Sequence, residues 1–133
     1  IEKATRLAIN DHSCVNAATQ FAGLAALTGP QDAVHDMLAQ FDQRRARIVG
    51  LLNALPGVSC TDAAGAFYAF PNITGTGMTS AQAQDLILEK AGVASISGTA
   101  FGASGEGYLR FSYANSLDNI DEAMRRIGDL LGR

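Results

Sequence analysis

The sequence predicts a two-layer α+β domain in which helices pack on one face of a small sheet. Three observations carry that prediction. Apolar residues at helical spacing form one long stripe over residues 34–55, short apolar alternations begin after Pro56-Gly57, and an amphipathic helix closes the chain after Ser116. With 133 residues, 47% hydrophobic and 17% charged, the chain can build one core without disulfides or metals and has little room for two domains.

Residues 1–10 are helix-like and run into the polar cluster Asn10-Asp11-His12-Ser13, which reads as a loop. Residues 15–27 are Ala-rich, and Val15, Phe21, Leu24 and Leu27 recur at near-helical spacing, so a closely packing helix is expected there, capped by Ser13 or Asn16. Thr28 and Gln31 have capping-box spacing, and Pro30 suits a first turn whose N–H groups have no intrahelical partner; a second helix should start at once. Its stripe of Val34, Met37, Leu38, Phe41, Ile48, Val49, Leu52 and Leu55 predicts a rod of about 37 Å, longer than a compact domain of this size is wide. One end is therefore expected to reach toward something else. Arg44, Arg45 and Arg47 fit a solvated face of this helix better than a ligand site, and Gly50 weakens it locally.

Residues 58–60 and 66–70 read as two short strands joined by the turn 61–65, with Pro71 ending the second. Thr79-Ser80 and Gln82 signal another helix start, Leu86 and Ile87 anchor that short helix, and Gly92 closes it before a strand over residues 93–97. Gly98, Gly102, Gly105 and Gly107 punctuate a loop. Residues 108–113 then alternate, with Tyr108, Arg110 and Ser112 on one face and Leu109, Phe111 and Tyr113 on the other. In the last helix Leu117, Ile120, Met124, Ile127 and Leu131 should point inward, up to Gly132. The expected order is helix, long helix, two strands, helix, two strands, helix, with no internal repeat.

Ten Lys plus Arg against thirteen Asp plus Glu give a net charge of −3, and no long basic run occurs, which argues against a nucleic-acid or anionic-membrane footprint and for a small-molecule or protein partner. No apolar run is long enough to span a membrane. The chain opens on Ile1 without an initiator Met or a signal-peptide pattern and is expected to be an internal fragment. Cys14 and Cys60 match no metal or redox spacing and are expected to be small buried or half-buried thiols of a reducing compartment, the cytoplasm fitting best.

Arg110 is the most informative residue for chemistry. A guanidinium in mid-strand between Leu109 and Phe111 offers a planar fork of donors suited to a carboxylate, which lysine could not reproduce. An ion pair with an internal Asp or Glu on an edge strand is the other use open to it. Gly102, Gly105 and Gly107 leave room nearby for a small anion. Phe67 and Tyr68, the aromatics after the Gly65-Ala66 turn, could wall a pocket, core packing being the commoner use of a residue such as Phe67. The glycines form no phosphate cradle, His12 and His35 have no ligand partner at a credible spacing, and no Ser, His and Asp set has a recognisable elbow. Neither Lys3 nor Lys90 is an attractive Schiff-base nucleophile. On this footing the residues are compatible with a carboxylate-binding domain and supply no catalytic machinery of their own.

The segments Ala25-Ala26-Leu27-Thr28-Gly29-Pro30-Gln31-Asp32, Leu55-Pro56-Gly57-Val58, Gly65-Ala66-Phe67-Tyr68-Ala69-Phe70-Pro71, Ser97-Gly98-Thr99-Ala100-Phe101-Gly102 and Leu109-Arg110-Phe111-Ser112-Tyr113-Ala114, with Arg44-Arg45 and Ala91-Gly92-Val93-Ala94 between them, occur together and in order. Over nearly the whole chain they resemble the C-terminal portion of class I pyridoxal-phosphate aminotransferases, most of all the bacterial aspartate aminotransferase group. The resemblance implies the small domain of a fold-type I aminotransferase: residues 1–29 ending a large cofactor domain, 30–56 the long interdomain helix, and 57–133 the small domain. It also implies a homodimer, pyridoxal 5'-phosphate as cofactor, and amino-acid and 2-keto-acid substrates. Arg110 falls where the family holds the substrate α-carboxylate, and Phe67 in the segment that closes near the substrate. The loop from His12 to Asn16 resembles the stretch that approaches the neighbouring subunit's active site. The family's catalytic lysine, its aspartate for the pyridine nitrogen and its phosphate-binding residues would all precede Ile1, so this chain alone is not expected to transaminate. A stand-alone amino-acid or keto-acid binding domain is the competing possibility; a sealed surface on the first two helices would favour it, and an exposed apolar face would favour the fragment.

Overall fold

Residues 1–132 are described by a computed structural model, and their contacts divide the chain into two units, Ile1–Asp36 and the part from Met37 onward. The first unit holds α1 (Glu2–His12), α2 (Ala17–Thr28) and the opening of α3 (Asp32–Asn53). The polar cluster expected to be a loop is mostly helix. The Asn10 amide donates to the Arg6 carbonyl (2.7 Å), so its side chain is satisfied on the helix, and α1 stops only where Ser13 turns to φ 56°. Asn16 caps α2 by accepting from the Thr19 N–H at 2.9 Å. The Thr28–Gln31 capping box does not form: the Thr28 hydroxyl donates to the Leu24 carbonyl, and the Gln31 amide donates to the carbonyls of Ala26 and Gly29, so both residues close α2 instead of opening α3. No residue of α2 is buried, and Phe21 and Leu27 are 72% and 84% exposed, so its apolar side chains do not pack as expected.

Helix α3 has 22 residues, shorter than the stripe suggested. Ile48 and Leu52 are buried, whereas Val34, Met37 and Leu38 are exposed, so only its C-terminal half serves the core. In the second unit the strands are β1 (Tyr68–Ala69), β2 (Ile96–Ser97) and β3 (Leu109–Ser112), forming an antiparallel sheet in the order β1-β3-β2. Four strands were expected; residues 58–60 supply only an isolated bridge between Ser59 and Asn72. Asn53 is the reason. Its amide donates to the Cys60 carbonyl (2.9 Å) and accepts from the Cys60 N–H (2.8 Å), taking the backbone groups a strand would need. The other two short strands shrink to a pair of residues each, the first between Ala66 at φ 60° and Pro71, which has no N–H to donate.

The alternation over residues 108–113 is as the sequence implies. Leu109, Phe111 and Tyr113 are buried and face the helices, meeting Ile48, Leu52, Ile87, Ile120 and Ile127 in one apolar cluster, while Arg110 and Ser112 face away. Helices α4 (Ser80–Leu86) and α5 (Leu117–Leu131) complete the layer. Thr79 and Gln82 form the expected reciprocal capping box, and α4 runs through a single π turn, Ile87–Ala91, into left-handed Gly92. Ser116 caps α5 through the Asn119 N–H. Ile120, Met124 and Ile127 of α5 are buried, but Leu117 at its first position lies off the end of the buried stripe and is exposed. Cys60 is buried; Cys14, beside the strained Ser13, is exposed rather than half-buried.

The glycine loop between β2 and β3 is tied down from below. The Ser80 hydroxyl, wholly buried, accepts from the N–H groups of Gly107 (2.8 Å) and Tyr108 (3.1 Å), and the Glu106 carboxylate accepts from the Ser80 N–H (2.9 Å). The first turn of α4 thus fixes where the loop returns to the sheet.

Ion pairs lie on the outside, between α3 and α5 and within α5. Arg47 of α3 binds Asp121 of α5 (2.6 Å), and Glu122 accepts from Arg125 and Arg126 (2.8 Å each). Hydrogen bonds from these guanidiniums hold the Asp121 carboxyl below its ordinary range and push that of Glu122 down to about 2. A lowered folded-state pKa stabilises above the unfolded-state value near pH 4, and the contribution fades as pH falls toward about 2. The melting temperature is therefore expected to fall over that acid range, by less at high salt because these groups are exposed, and Asp121→Asn should flatten the profile. Thermal unfolding followed by circular dichroism across pH, at two salt concentrations, checks this; an unchanged profile in Asp121→Asn would exclude the pair as a contributor.

Candidate functional site

Arg110 sits in β3, the central strand, hydrogen-bonded to neighbours on both sides, so an edge-strand ion pair is not its use. Across β2 it faces Ile96, and Tyr68 of β1 faces Ser112, two positions along and on the same side of the sheet. The guanidinium is half-buried and has no hydrogen bond or ion pair with any other described residue. Two aromatic rings hold it. Its central carbon lies 4.2 Å from the centroid of Tyr68 and 4.7 Å from that of Phe101, which arrives from the 3₁₀ turn Gly98–Phe101. Phe101 meets Phe70 edge-on (6.1 Å), and Phe70 stacks on Tyr108 (5.3 Å).

Beside Arg110 opens a cavity of about 180 Å³ lined by Tyr68, Ala94, Ser95, Ile96, Arg110 and Ser112. The Ser95 hydroxyl is buried without a partner. One full positive charge, a planar set of unused donors and hydroxyls at the wall suit a small carboxylate, which can accept two parallel N–H bonds.

Phe67 lies one step removed. Its ring is 4.4 Å from that of Tyr68 and 6.3 Å from that of Phe41, and it does not line the Arg110 cavity. The backbone around it is fixed by Tyr113, whose hydroxyl donates to the Ala66 carbonyl (2.9 Å) and whose N–H donates to the Phe67 carbonyl (2.9 Å). Burial pushes the Tyr113 hydroxyl pKa up, so this donor keeps its proton. On α3, Arg45 bonds Asp42 and Asp62, Arg47 bonds Asp121 and Arg44 lies over Phe41 (5.3 Å), a set of structural roles. Lys3 and Lys90 are exposed and neither lines the Arg110 cavity. Burial raises the Cys60 thiol pKa, leaving it a poor nucleophile.

Phe101 is not signalled by the sequence, and Tyr68 enters only as one of the aromatics after the Gly65-Ala66 turn, with no link to Arg110. Alternation with Phe67 could have placed Tyr68 on the Arg110 face, but no spacing rule links Phe101 to a strand beyond the glycine loop.

Comparison with known proteins gives a concordant result. The family described as "Aminotransferase class I and II" matches residues 5–127. An aspartate aminotransferase of Pyrococcus horikoshii is 47% identical over 110 residues, 81% of this chain and 28% of that protein. An aspartate aminotransferase of Pyrococcus abyssi is 38% identical over 133 residues, 98% of this chain and 34% of the relative. Among solved structures, an aromatic aminotransferase from Pyrococcus horikoshii superposes with a TM-score of 0.87 at 36% identity, covering 98% of this chain and 35% of that one. The chain thus spans about a third of the length of the proteins it matches. Among the described residues no helix is long and apolar enough to cross a membrane.

Proposed function

The chain belongs to the class I and II aminotransferase family, a pyridoxal-phosphate-dependent family of fold type I, and from that premise we propose that it is the C-terminal part of an enzyme exchanging an amino group between aspartate and a 2-keto acid. Arg110 binds the α-carboxylate of both substrates. One observation carries this role: a half-buried arginine on a central strand, held by aromatic faces, with no donor committed to another described residue and a cavity at its side.

Pyridoxal phosphate supplies an aldehyde that captures the amino group and a ring that draws electrons from the α-carbon. The residues of this chain do not fit that group. Its two lysines are exposed and neither lines the Arg110 cavity, and the glycines form no phosphate cradle, so no step of the chemistry is assigned here. What these residues do is bind and orient: two N–H groups of Arg110 on one carboxylate fix the rotation of the substrate about its α-carbon.

Residues 1–29 belong on this proposal to the large cofactor domain, 30–56 form the interdomain helix and 57–133 the small domain, with Phe67 near the substrate. Apolar side chains left exposed on α2 and on the N-terminal part of α3 support a chain that needs further protein to cover it, as a homodimer of complete subunits would provide; a stand-alone binding domain would have sealed them. Two free cysteines accord with a cytoplasmic enzyme.

The test is an assay of the full-length protein with 2-oxoglutarate and a panel of amino acids. Aspartate is expected to be turned over with the highest kcat/KM. Preference for an aromatic amino acid would move the substrate assignment, and no transamination with any of them would overturn the function.

A further inference from the structure

Arginines in folded proteins are usually held by carboxylates or carbonyls, which consume N–H donors. Arg110 is not. Tyr68 and Phe101 approach its guanidinium within 4.2 and 4.7 Å and offer it no oxygen acceptor there; they attract the cation through the negative faces of their rings. An aromatic holder restrains the cation and leaves its donors uncommitted, whereas an internal Asp or Glu would occupy the fork and have to be displaced by every incoming carboxylate. The arrangement is braced. Phe101 rests edge-on against Phe70, which stacks on Tyr108, and Tyr108 is anchored in turn by its N–H bond to the buried Ser80 hydroxyl. Phe70 and Phe101 remain 39% and 54% exposed, a poor use of two phenylalanines if burial alone were their purpose.

We propose that Tyr68 and Phe101 are positioning residues for substrate binding, setting the Arg110 guanidinium in place by ring-face contact so that its donors stay free for the substrate carboxylate. This rests on the carboxylate-binding role of Arg110. The ring of Tyr68, not its hydroxyl, is the working part, since the hydroxyl makes no hydrogen bond to any other described residue.

The experiment uses the full-length enzyme, with kcat and KM measured for aspartate and 2-oxoglutarate in Tyr68→Phe, Tyr68→Leu, Phe101→Leu, Phe101→Glu and Arg110→Lys. Tyr68→Phe keeps the ring and should hold KM within about two-fold of the parent, while Tyr68→Leu and Phe101→Leu should raise KM about five-fold with kcat much less changed. Phe101→Glu supplies the internal carboxylate and should raise KM further, with partial recovery as pH drops and the new side chain protonates; a merely structural Phe101 would give no such recovery. If both leucine variants keep the parental KM while Arg110→Lys raises it, positioning fails and the carboxylate site stands. Equal damage from Tyr68→Phe and Tyr68→Leu would also overturn it, by making the hydroxyl responsible. No effect of Arg110→Lys would remove the carboxylate site itself, and with it this proposal.

Discussion

Replacing Arg110 by alanine is expected to lower kcat/KM for aspartate about 100-fold in the full-length enzyme, because a charge-assisted pair of hydrogen bonds worth about 1.5–3 kcal/mol is lost with no other described cation lining the cavity. Arg110→Lys should fall between the two. Lysine restores the charge but gives a point donor in place of the planar fork, and its ammonium does not spread over the faces of Tyr68 and Phe101 as the guanidinium does. A paired substrate isolates the cause. An amino acid whose α-carboxylate is replaced by a carboxamide should be a poor substrate for the parent, and the discrimination should largely vanish in Arg110→Ala. Unchanged discrimination in that variant would mean that another group reads the carboxylate. Steady-state kinetics with both compounds settles it.

Gly98→Ala is expected to destabilise the protein by about 3 kcal/mol or more, the range of an overpacked core whose neighbours cannot move. A methyl group on Gly98 would run into the carbonyl of Gly105 and lie 2.9 Å from the carbonyl oxygen of Tyr108. Both are backbone groups, and both belong to the segment that Ser80 pins through the N–H groups of Gly107 and Tyr108, so neither can swing aside as a side chain would. The damage should reach the site as well, because Gly98 opens the turn that carries Phe101 to Arg110. Gly65→Ala is the control: nothing lies within 4 Å of the added carbon, and a change of less than about 0.5 kcal/mol is expected. Urea unfolding of the two variants, with aspartate KM alongside, separates these outcomes; equal stability of both would mean that the loop is free to relax.

Much of the fold was legible because short-range periodicity reports which side of an element is covered. The alternation of Leu109 to Tyr113 placed Arg110 and Ser112 on the side away from the helices, and the Ile120, Met124 and Ile127 stripe placed the core face of α5. The Thr79–Gln82 capping box needed only neighbours in sequence. Failures came where a side-chain bond to the backbone of a nearby residue competed with the expected pairing or cap. Asn53 takes the backbone of Cys60 and leaves no strand there, while Gln31 folds back on Ala26 and Gly29 instead of capping α3.

The candidate site divides in the same way. That Arg110 faces something outside the helix layer was visible from the sequence, since a cation between two apolar strand residues must do so, and the segments around Gly65, Gly98 and Arg110 named the family. What surrounds that arginine was not visible. Tyr68 joins it through the register between β1 and β3, and Phe101 through a loop whose return is set by one buried serine hydroxyl. Periodicity fixes the face a residue occupies, because that follows from the local geometry of the backbone. It carries no information on which distant ring will lie against a given cation, because that depends on strand register and loop closure, and these exist only once the chain has folded.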